Sequence, residues 1–287
     1  MSRNKDRLGG GMQVEPDTSP PPALTQQSDS GDFSFVVPTE FIALPSKGVL
    51  YPEGHPLKGE DCIEIKQMTA KEEDLLTSKT LLKKGVAIDR LVQSLIVDKR
   101  IKVDSLLLGD KNAVIIAIRK SGYGSDYSTK INCPACGATQ RRTFNLNNLA
   151  VYHGDKLDEL NVTNNNDGTF STVLPKTKLT VRFRLLTGQH EKQLVSGLKM
   201  DRQQKSHERA ITRQLRNMLV SVNDNPHSTA LNYLVENIPS MDSRHLRLCY
   251  KLACPDIDMT QEFVCEECDH DQDLEVPLTA EFFWPQQ

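Results

Sequence analysis

The amino-acid sequence predicts an α+β fold, in which helices mix with short antiparallel hairpins that a four-cysteine, zinc-ribbon-like site staples together. The first observation is a CxxC pair, Cys133 and Cys136, which lies between two β-like runs. The second is a matching pair, Cys265 and Cys268, in the same kind of setting. The third is the segment between the pairs, where strand-period and helix-period runs predict a helical insertion between two knuckles.

Bulk composition indicates a folded chain of weak overall charge. The chain has 287 residues, 38% of them hydrophobic, which is enough to build a core, and its net charge is -3. This charge gives no global basic field, so sequence-independent nucleic-acid binding is not favoured. No apolar run approaches the roughly 18 residues that span a bilayer, and the N-terminus lacks the apolar region of a signal peptide. We therefore expect the protein to be made in the cytosol and not to associate with a membrane.

Composition also divides the chain. Residues 1–33 are rich in Gly, Pro, Ser, Asp and Gln and hold too few large apolar side chains to offset the entropy of ordering, which predicts a disordered extension. Residues 34–287 are predicted to form a single zinc-stapled unit. Its parts are an N-terminal part with the first knuckle at 34–149, a strand and helical insertion at 150–254, and a second knuckle with a C-terminal strand at 255–287.

The N-terminal part contains turns, a strand and helices. Prolines and glycines between positions 38 and 54 favour extended segments joined by tight turns, and Ile63 and Ile65 alternate with polar residues as in a strand. Thr69 and Glu72 have the spacing of a capping box, which predicts the start of a helix. The helices predicted for this part run from Thr69 to about Leu82, over residues 86–98, and from Asp110 to about Gly122.

The insertion changes its hydrophobic period along its length. An Asn-Asn-Asn-Asp-Gly run after residue 162 predicts a turn between strands, and apolar residues alternate with polar ones from Leu179 to Leu185, which predicts a half-buried strand. Helical spacing then places five apolar residues on one predicted helix face: Ile211, Leu215, Met218, Leu219 and Val222. Further helices are predicted for residues 228–237, capped by Ser228, and for residues 242–253, ended by Pro255.

The cysteines carry the predicted chemistry. In a knuckle hairpin, backbone N–H groups point at the sulfurs and both thiolates face one ion. One knuckle supplies two ligands, and a closed structural site needs four. The two pairs therefore predict one shared structural Zn²⁺ held by Cys133, Cys136, Cys265 and Cys268.

A redox role for the CxxC pairs is the alternative. Such a site needs a pair at a helix start in a thioredoxin-like setting, where the helix N-terminus lowers the thiol pKa, and strand-turn-strand flanks argue against it. His270 is a further candidate ligand, although its acidic surroundings favour a solvated position. The cysteines outside the pairs, Cys62, Cys249 and Cys254, are expected to be small core residues.

Enzyme motifs are missing from the sequence. His190 and Glu191 resemble the start of a metalloprotease HExxH helix, but Leu194 stands where the second histidine is required. There is no phosphate-binding loop, no dinucleotide fingerprint and no nucleophile elbow. We expect a protein that is not an enzyme and has no small-molecule substrate.

Basic residues beside the first knuckle leave a nucleic-acid alternative open. Lys130, Arg141 and Arg142 are placed to contact phosphate, as in a zinc-ribbon nucleic-acid-binding regulator. Four acidic residues surround the second knuckle and cancel much of that field, so a solvated face is favoured. Near the C-terminus, Phe282 and Phe283 with Trp284 form either a plug in the core or an aromatic anchor for a partner, and Trp284 is the one expected to be exposed.

Three stretches together resemble the T4-type bacteriophage baseplate hub assembly protein family, whose members are called assembly catalysts or chaperones. They contain Leu44, Pro45, Gly48 and Tyr51, then the four knuckle cysteines, then Phe282 to Pro285. The resemblance covers about residues 35–287. It implies a non-enzymatic role in building the tail baseplate hub through contacts with phage hub and tail proteins. It also implies a location in the cytoplasm of the infected bacterium or in the virion baseplate.

Overall fold

A computed structural model of the chain describes residues 25–27, 33–204, 207–276 and 280–283. These residues fall into two units, one within residues 1–38 and one spanning residues 39–287. In the first unit, strand β1 (Thr25–Gln27) pairs antiparallel with β2 (Phe33–Phe35). The rest of the predicted disordered extension lies outside the described residues.

The second unit contains both helices and strands. The helices are α1 (Ala70–Thr77), α2 (Lys79–Lys84), α3 (Ala87–Leu95), α4 (Leu108–Tyr123), α5 (Gly188–Gln203), α6 (Ala210–Met218), α7 (Ser228–Asn237) and α8 (Ser240–Ala253). The strands are β3 (Thr39–Ala43), β4 (Cys62–Lys66), β5 (Asp126–Asn132), β6 (Thr139–Asn145), β7 (Ala150–Tyr152), β8 (Thr163–Asn164), β9 (Thr169–Val173), β10 (Thr180–Arg184), β11 (Leu219–Val222), β12 (Asp256–Asp258), β13 (Thr260–Val264) and β14 (Asp271–Glu275). Short 3-10 turns lie at Val103–Ser105, Leu157–Leu160 and Ala280–Phe283.

Antiparallel pairing dominates the sheets, as the sequence predicts. The largest sheet has the strand order β11-β10-β9-β8, and β10 presents the buried Val181 and Phe183 of the predicted alternating strand. The other pairs are β3 with β4, β5 with β6, β7 with β12, and β13 with β14. The α+β class is confirmed, and the segment between the two cysteine hairpins contains α5 to α8, which confirms the helical insertion.

Helix α4 lies at the centre of the main core. Val114 and Ile118 are 0% and 1% exposed, and even the charged Asp110 and Arg119 are buried in this helix. A Cβ atom on Gly109 would lie 1.9 Å from the carbonyl oxygen of Pro255, so only glycine permits this approach to the start of β12. The helix begins two residues before the predicted Asp110 and ends at Tyr123.

The predicted helix from Thr69 to Leu82 is in fact two helices. Its start is confirmed, because the Glu72 carboxylate accepts the Thr69 N–H at 3.2 Å. The helix breaks at Ser78, whose backbone is extended, and α2 follows. Just before the break, the Thr77 hydroxyl donates to the backbone carbonyls of Glu73 and Asp74. Neighbouring hydroxyl residues of this kind compete for the helical hydrogen bonds, which periodicity alone does not reveal.

The predicted helix face that runs from Ile211 to Val222 is wrong in its second half. Helix α6 ends at Met218, and Leu219 to Val222 form β11 beside β10. The β-branched Val220 and Val222 favour a strand, and the open edge of β10 supplies the backbone partners. Ile211 is exposed on α6 rather than buried.

Candidate metal centre

The four predicted ligands lie together in the structure. We call Cys133, Cys136, Cys265 and Cys268 the cysteine cluster. Their sulfur atoms all lie within 4.8 Å of one another, although 129 or more residues of sequence separate the two pairs. Among the histidine, cysteine and acidic side chains of the described residues, these four cysteines form the group whose ligand atoms lie close enough together to hold a metal ion. The structure therefore brings together the full set that the sequence predicts.

Each cysteine pair sits at the tip of a hairpin with the same backbone design. In the first, formed by β5 and β6, the Cys133 N–H donates to Ala138, and the Gly137 N–H donates to the Cys133 carbonyl. In the second, formed by β13 and β14, the equivalent bonds join Cys265 to His270 and Asp269 to Cys265. The residue after each second cysteine is left-handed, with φ of 75° at Gly137 and 52° at Asp269.

The spacing of the sulfurs fits one tetrahedral zinc ion. The Sγ atoms of Cys133 and Cys268 are 3.8 Å apart, and those of Cys136 and Cys265 are 3.7 Å apart. A Zn–S bond of about 2.3 Å places tetrahedral sulfur ligands about 3.8 Å from one another. A disulfide would need a sulfur separation of about 2.05 Å. These two separations are thus compatible with a metal site of four sulfur ligands and are too long for disulfide bonds.

The thiols of the cluster differ in their acidity. The backbone N–H of Glu267 donates toward the sulfur of Cys265 and lowers the pKa of this thiol to about 6. At Cys268 the N–H of His270 lowers the pKa, but the neighbouring Cys136 sulfur and burial together raise it to about 12. The Cys265 thiol is thus the more acidic of these two, whereas hydrogen bonds from neighbouring sulfurs oppose deprotonation of Cys268.

Side chains join the two knuckle hairpins around the cluster. The Gln140 side-chain oxygen accepts the Glu266 N–H at 3.2 Å, and Gln261 donates to the Asn145 carbonyl at 3.2 Å. Cys133 and Cys265 bury themselves against Phe263 in a small apolar cluster separate from the main core. We call these two hairpins with the cysteine cluster the hairpin lobe. Its own core is small, since only Cys133, Phe263 and Cys265 are buried there.

One of the basic residues beside the first knuckle is engaged in contacts within the protein. The Arg142 guanidinium donates to the Val264 carbonyl, pairs with Glu266 at 3.4 Å and lies 5.7 Å from the centre of the Phe263 ring. Arg142 therefore ties the hairpins together. Lys130 is exposed on β5, opposite Arg141 on β6. His270 contacts Gln272 at 3.2 Å and does not belong to the cluster.

The remaining cysteines behave as packing residues. Cys249 is fully buried in α8, and burial raises the pKa of its thiol. Burial likewise raises the pKa of Cys254 to about 12. Cys62 is half-buried on β4. Thiols that stay protonated at neutral pH make poor nucleophiles and poor metal ligands, in agreement with their predicted role.

The segment from Leu44 to Tyr51, which lies in the first of the three stretches that resemble the phage family, forms a turn that is hydrogen-bonded to α4. We call it the motif turn. The Asp110 carboxylate accepts the Ser46 N–H at 3.0 Å, the Ser46 hydroxyl at 2.6 Å and the Tyr51 hydroxyl at 2.8 Å. The Tyr51 oxygen in turn accepts the Leu107 N–H at 3.2 Å. Burial raises the pKa of Asp110, and these donors lower it in part. A Cβ atom on Gly48, whose φ is 67°, would clash with the backbone of Leu57 and Glu60.

This network was not anticipated from the sequence, which indicated Asp110 only as a helix opener. No local pattern links Asp110 to Ser46 across 64 residues. A similar case is His190, whose Nδ1 atom accepts the Thr187 N–H at 3.1 Å and so caps the start of α5. The apparent metalloprotease fragment is thus a helix cap.

Phe282 and Phe283 lie in the core, in agreement with the predicted core plug and not with an aromatic anchor for a partner. Phe282 and Phe283 are 1% and 0% exposed, and the Phe282 ring meets Tyr127 edge-on at 5.0 Å. Arg119 donates to the Phe282 carbonyl at 2.7 Å. The predicted exposure of Trp284 concerns a residue outside the described ones.

Comparison with known proteins gives one match. A family model described as "T4 bacteriophage base plate protein" matches residues 44–284, from the motif turn at Leu44 through both knuckles to the C-terminal aromatics. Nothing among curated proteins or solved structures matches the chain. In the part of the chain that the structure describes, no helix has the length and apolar character to cross a membrane. The chain belongs to the T4 bacteriophage base plate protein family.

Proposed function

We propose that this chain is a non-enzymatic protein of the phage tail baseplate hub, an assembly chaperone or catalyst or a hub component, that acts by contacting other hub proteins. The observation that carries the proposal is the family match over residues 44–284. Because the match includes the motif turn, the cysteine hairpins and the core aromatics, it concerns the whole folded unit. The protein would act in the cytoplasm of the infected host, or in the virion baseplate if it stays bound.

We propose in addition that one structural Zn²⁺ occupies the cysteine cluster. Sulfur would occupy all four coordination positions of a tetrahedral ion, so the ion would hold the hairpin lobe together and would not offer a site for substrate. The sulfur separations of 3.7 and 3.8 Å support this proposal. Native mass spectrometry of the purified chain, with and without a strong chelator, should show one zinc per chain that the chelator removes.

Affinity purification from infected bacteria tests the proposed role. The full chain carries a tag, and the tag alone serves as control. Hub and tail proteins should be enriched with the tagged chain during baseplate assembly. Mass spectrometry of purified virions then separates a hub component, which is present, from an assembly chaperone, which is absent. Recovery of nucleic acid or host metabolic enzymes alone would contradict a baseplate role.

A zinc-ribbon nucleic-acid-binding regulator is the weaker candidate. Arg142, one of the three basic residues that suggested it, is engaged by Val264, Glu266 and Phe263. Phosphate contacts release counterions, so true nucleic-acid binding would weaken steeply with added salt. A filter-binding titration from low to high salt should show no such salt-dependent binding by the full chain.

A further inference from the structure

A groove that shares no residue with the cysteine cluster lies between the helices α1 to α5 and the C-terminal 3-10 turn. Its volume is about 430 Å³. Its apolar lining includes Leu76, Leu82, Val86, Ile115, Val195 and Phe283. Leu76 and Phe283 form a buried floor, whereas Leu82 and Val195 are 38% and 45% exposed on the walls. The groove therefore offers apolar surface to a ligand from outside.

The buried charged groups of the groove are already paired. The Lys111 ammonium lies 2.6 Å from the Asp89 carboxylate and 2.6 Å from the Glu191 carboxylate. Lys192 adds a contact of 3.3 Å to Asp89. The buried side-chain atoms without a partner in the described chain belong to Glu40 and Gln140, which do not line the groove. Because the buried charges are already satisfied by one another, recognition in the groove rests mainly on apolar side chains.

The edge of the groove carries lysines without acidic partners. Lys84 at the end of α2 and Lys199 on α5 form no ion pair with any carboxylate among the residues that the structure describes, and both line the groove. The Lys199 ammonium donates to the Lys84 backbone carbonyl at 3.4 Å, which places the Lys199 head group beside the C-terminal end of α2. Helix α2 reads KTLLKK and contains no acidic residue. This edge is complementary to negative charge.

We propose that this groove binds an amphipathic helix of another baseplate protein, with apolar side chains seated between Leu82 and Val195 and carboxylates facing Lys84 and Lys199. Helix-in-groove binding uses an apolar stripe with i, i+3 and i+4 spacing, which suits a groove walled by helices. Complementary charges at the edge set the orientation and the partner. The inference rests on the proposed baseplate role and names the surface and the chemistry of the contact.

Site-specific crosslinking in infected cells tests the groove directly. The full chain carries a photoreactive benzoylphenylalanine in place of Val195, and mass spectrometry maps the crosslinked peptide. We expect a segment of another baseplate protein, with helical apolar spacing and more Asp and Glu than Lys and Arg. A photoreactive residue in place of Val151, which is 50% exposed and does not line the groove, is the matched control and should not yield that segment.

Charge reversal supplies the second readout. The pair Lys84→Glu and Lys199→Glu, in the chain that carries the crosslinker at position 195, should lower the crosslink yield by about tenfold, because attraction at the edge becomes repulsion. The pair Lys130→Glu and Lys178→Glu makes the same change in net charge on exposed lysines outside the groove and should leave the yield unchanged. Equal thermal midpoints of the two variants exclude misfolding as the cause.

Other occupants would overturn the inference. A crosslink from position 195 to residues 284–287 of the same chain assigns the groove to its own C-terminal segment, and a crosslink to a second copy makes it a self-association surface. A captured segment without acidic excess, or a yield insensitive to both charge-reversed pairs, also contradicts it. If baseplate proteins are recovered with the tagged chain but only the control position captures them, the groove inference fails while the proposed function stands. If none is recovered in either experiment, the proposed function itself fails.

Discussion

At the scale of single residues, Tyr51 shows how a motif residue serves the fold. Its hydroxyl joins the Asp110 carboxylate to the Leu107 N–H inside the core. Tyr51→Phe removes only that oxygen and leaves two buried polar groups short of a partner, which costs about 1–3 kcal/mol of unfolding free energy. Urea denaturation checks this value. Tyr233→Phe is the control, since Tyr233 is 72% exposed and its loss should cost less than about 0.5 kcal/mol. Equal losses in both variants would contradict the network's role.

Asp242 gives a prediction that depends on pH. It is fully buried at the start of α8, and its two oxygens accept the N–H groups of Lys176 at 2.7 Å and Thr177 at 2.9 Å. Burial alone would raise the pKa of Asp242, but these donors hold it below its ordinary value. A carboxyl with a lowered folded pKa adds stability above its unfolded pKa of about 3.9, and this stability is lost as the pH falls through the folded value.

Asp242→Asn should therefore lower the unfolding free energy at pH 7, by about 1–3 kcal/mol, because one N–H then faces an amide NH₂ group. The gap between the two proteins should begin to narrow below about pH 4, where the carboxyl of the unfolded chain takes up a proton, and should close as the pH falls through the lower pKa of the folded protein. Urea midpoints measured at pH 7, 5 and 3.5 follow the gap. A gap that stays constant over this range would show that the charge of Asp242 contributes nothing.

At the scale of elements, the proposed Zn²⁺ would make the two knuckle hairpins depend on one shared ion. Cys265→Ser removes one of four sulfur ligands, and we expect the purified variant to lose its zinc and to have a lower thermal midpoint, because metal binding contributes to folding free energy. Cys62→Ser is the control, since Cys62 lies outside the cluster. It should keep one zinc per chain by elemental analysis. Retention of both zinc and midpoint by Cys265→Ser would rule out a shared site.

The tips of the two hairpins differ in one informative residue. Gly137 and Asp269 both have left-handed backbone, and a Cβ atom at Gly137 would meet nothing within 4 Å. Gly137→Ala should therefore destabilise the protein through backbone strain alone, by about 1–2 kcal/mol. Asp269→Gly imposes no such strain on the equivalent position and should not cost a comparable amount. Thermal denaturation of both variants in excess zinc compares them. An equal loss in both would mean that the side chain of Asp269, and not the backbone, matters there.

The elements also show what sequence patterns can predict. Alternation in β4 and β10, the capping box at Thr69 and the paired knuckles are local patterns, and the structure confirms them. The change from α6 to β11 within one apolar period is different, because it depends on the pairing edge of β10, which local sequence does not contain. The break at Ser78 has a local cause, but one of hydroxyl competition rather than periodicity. Periodicity thus indicates which residues face the core, while the backbone hydrogen-bond partners decide whether the segment becomes a helix or a strand.

At the scale of the whole molecule, sequence reasoning reached the cysteine cluster but not the buried network around Asp110 or the groove beside α2. Two matched CxxC pairs indicate a shared metal site even across a long insertion, because few other functions require four cysteines with this spacing. The contacts of Asp110 with Ser46 and Tyr51 involve common residue types at arbitrary separations. The groove is formed by five helices, so its lining has no signature in any one of them.

The folded unit has two means of holding the first knuckle hairpin, and they act at opposite ends. At its base, Tyr127 and Phe144 belong to the main core, and Arg119 of α4 donates to the carbonyls of Gly124 and Asp126. At its tip, Cys133 belongs to the small cluster of the hairpin lobe. Removing zinc should therefore loosen the tip and leave the base and the main core intact.

Hydrogen exchange of the full chain, with and without chelator, distinguishes local from global loss. Amides around the cysteine pairs, in residues 131–139 and 263–271, should exchange at least about tenfold faster without zinc, because local opening there no longer breaks metal bonds. Amides of α4 near Val114 and Ile118 should keep their protection, since those side chains pack in the main core. Equal loss of protection in α4 would show that the ion supports the whole unit. Unchanged exchange at both tips would show that no ion holds the cysteine cluster.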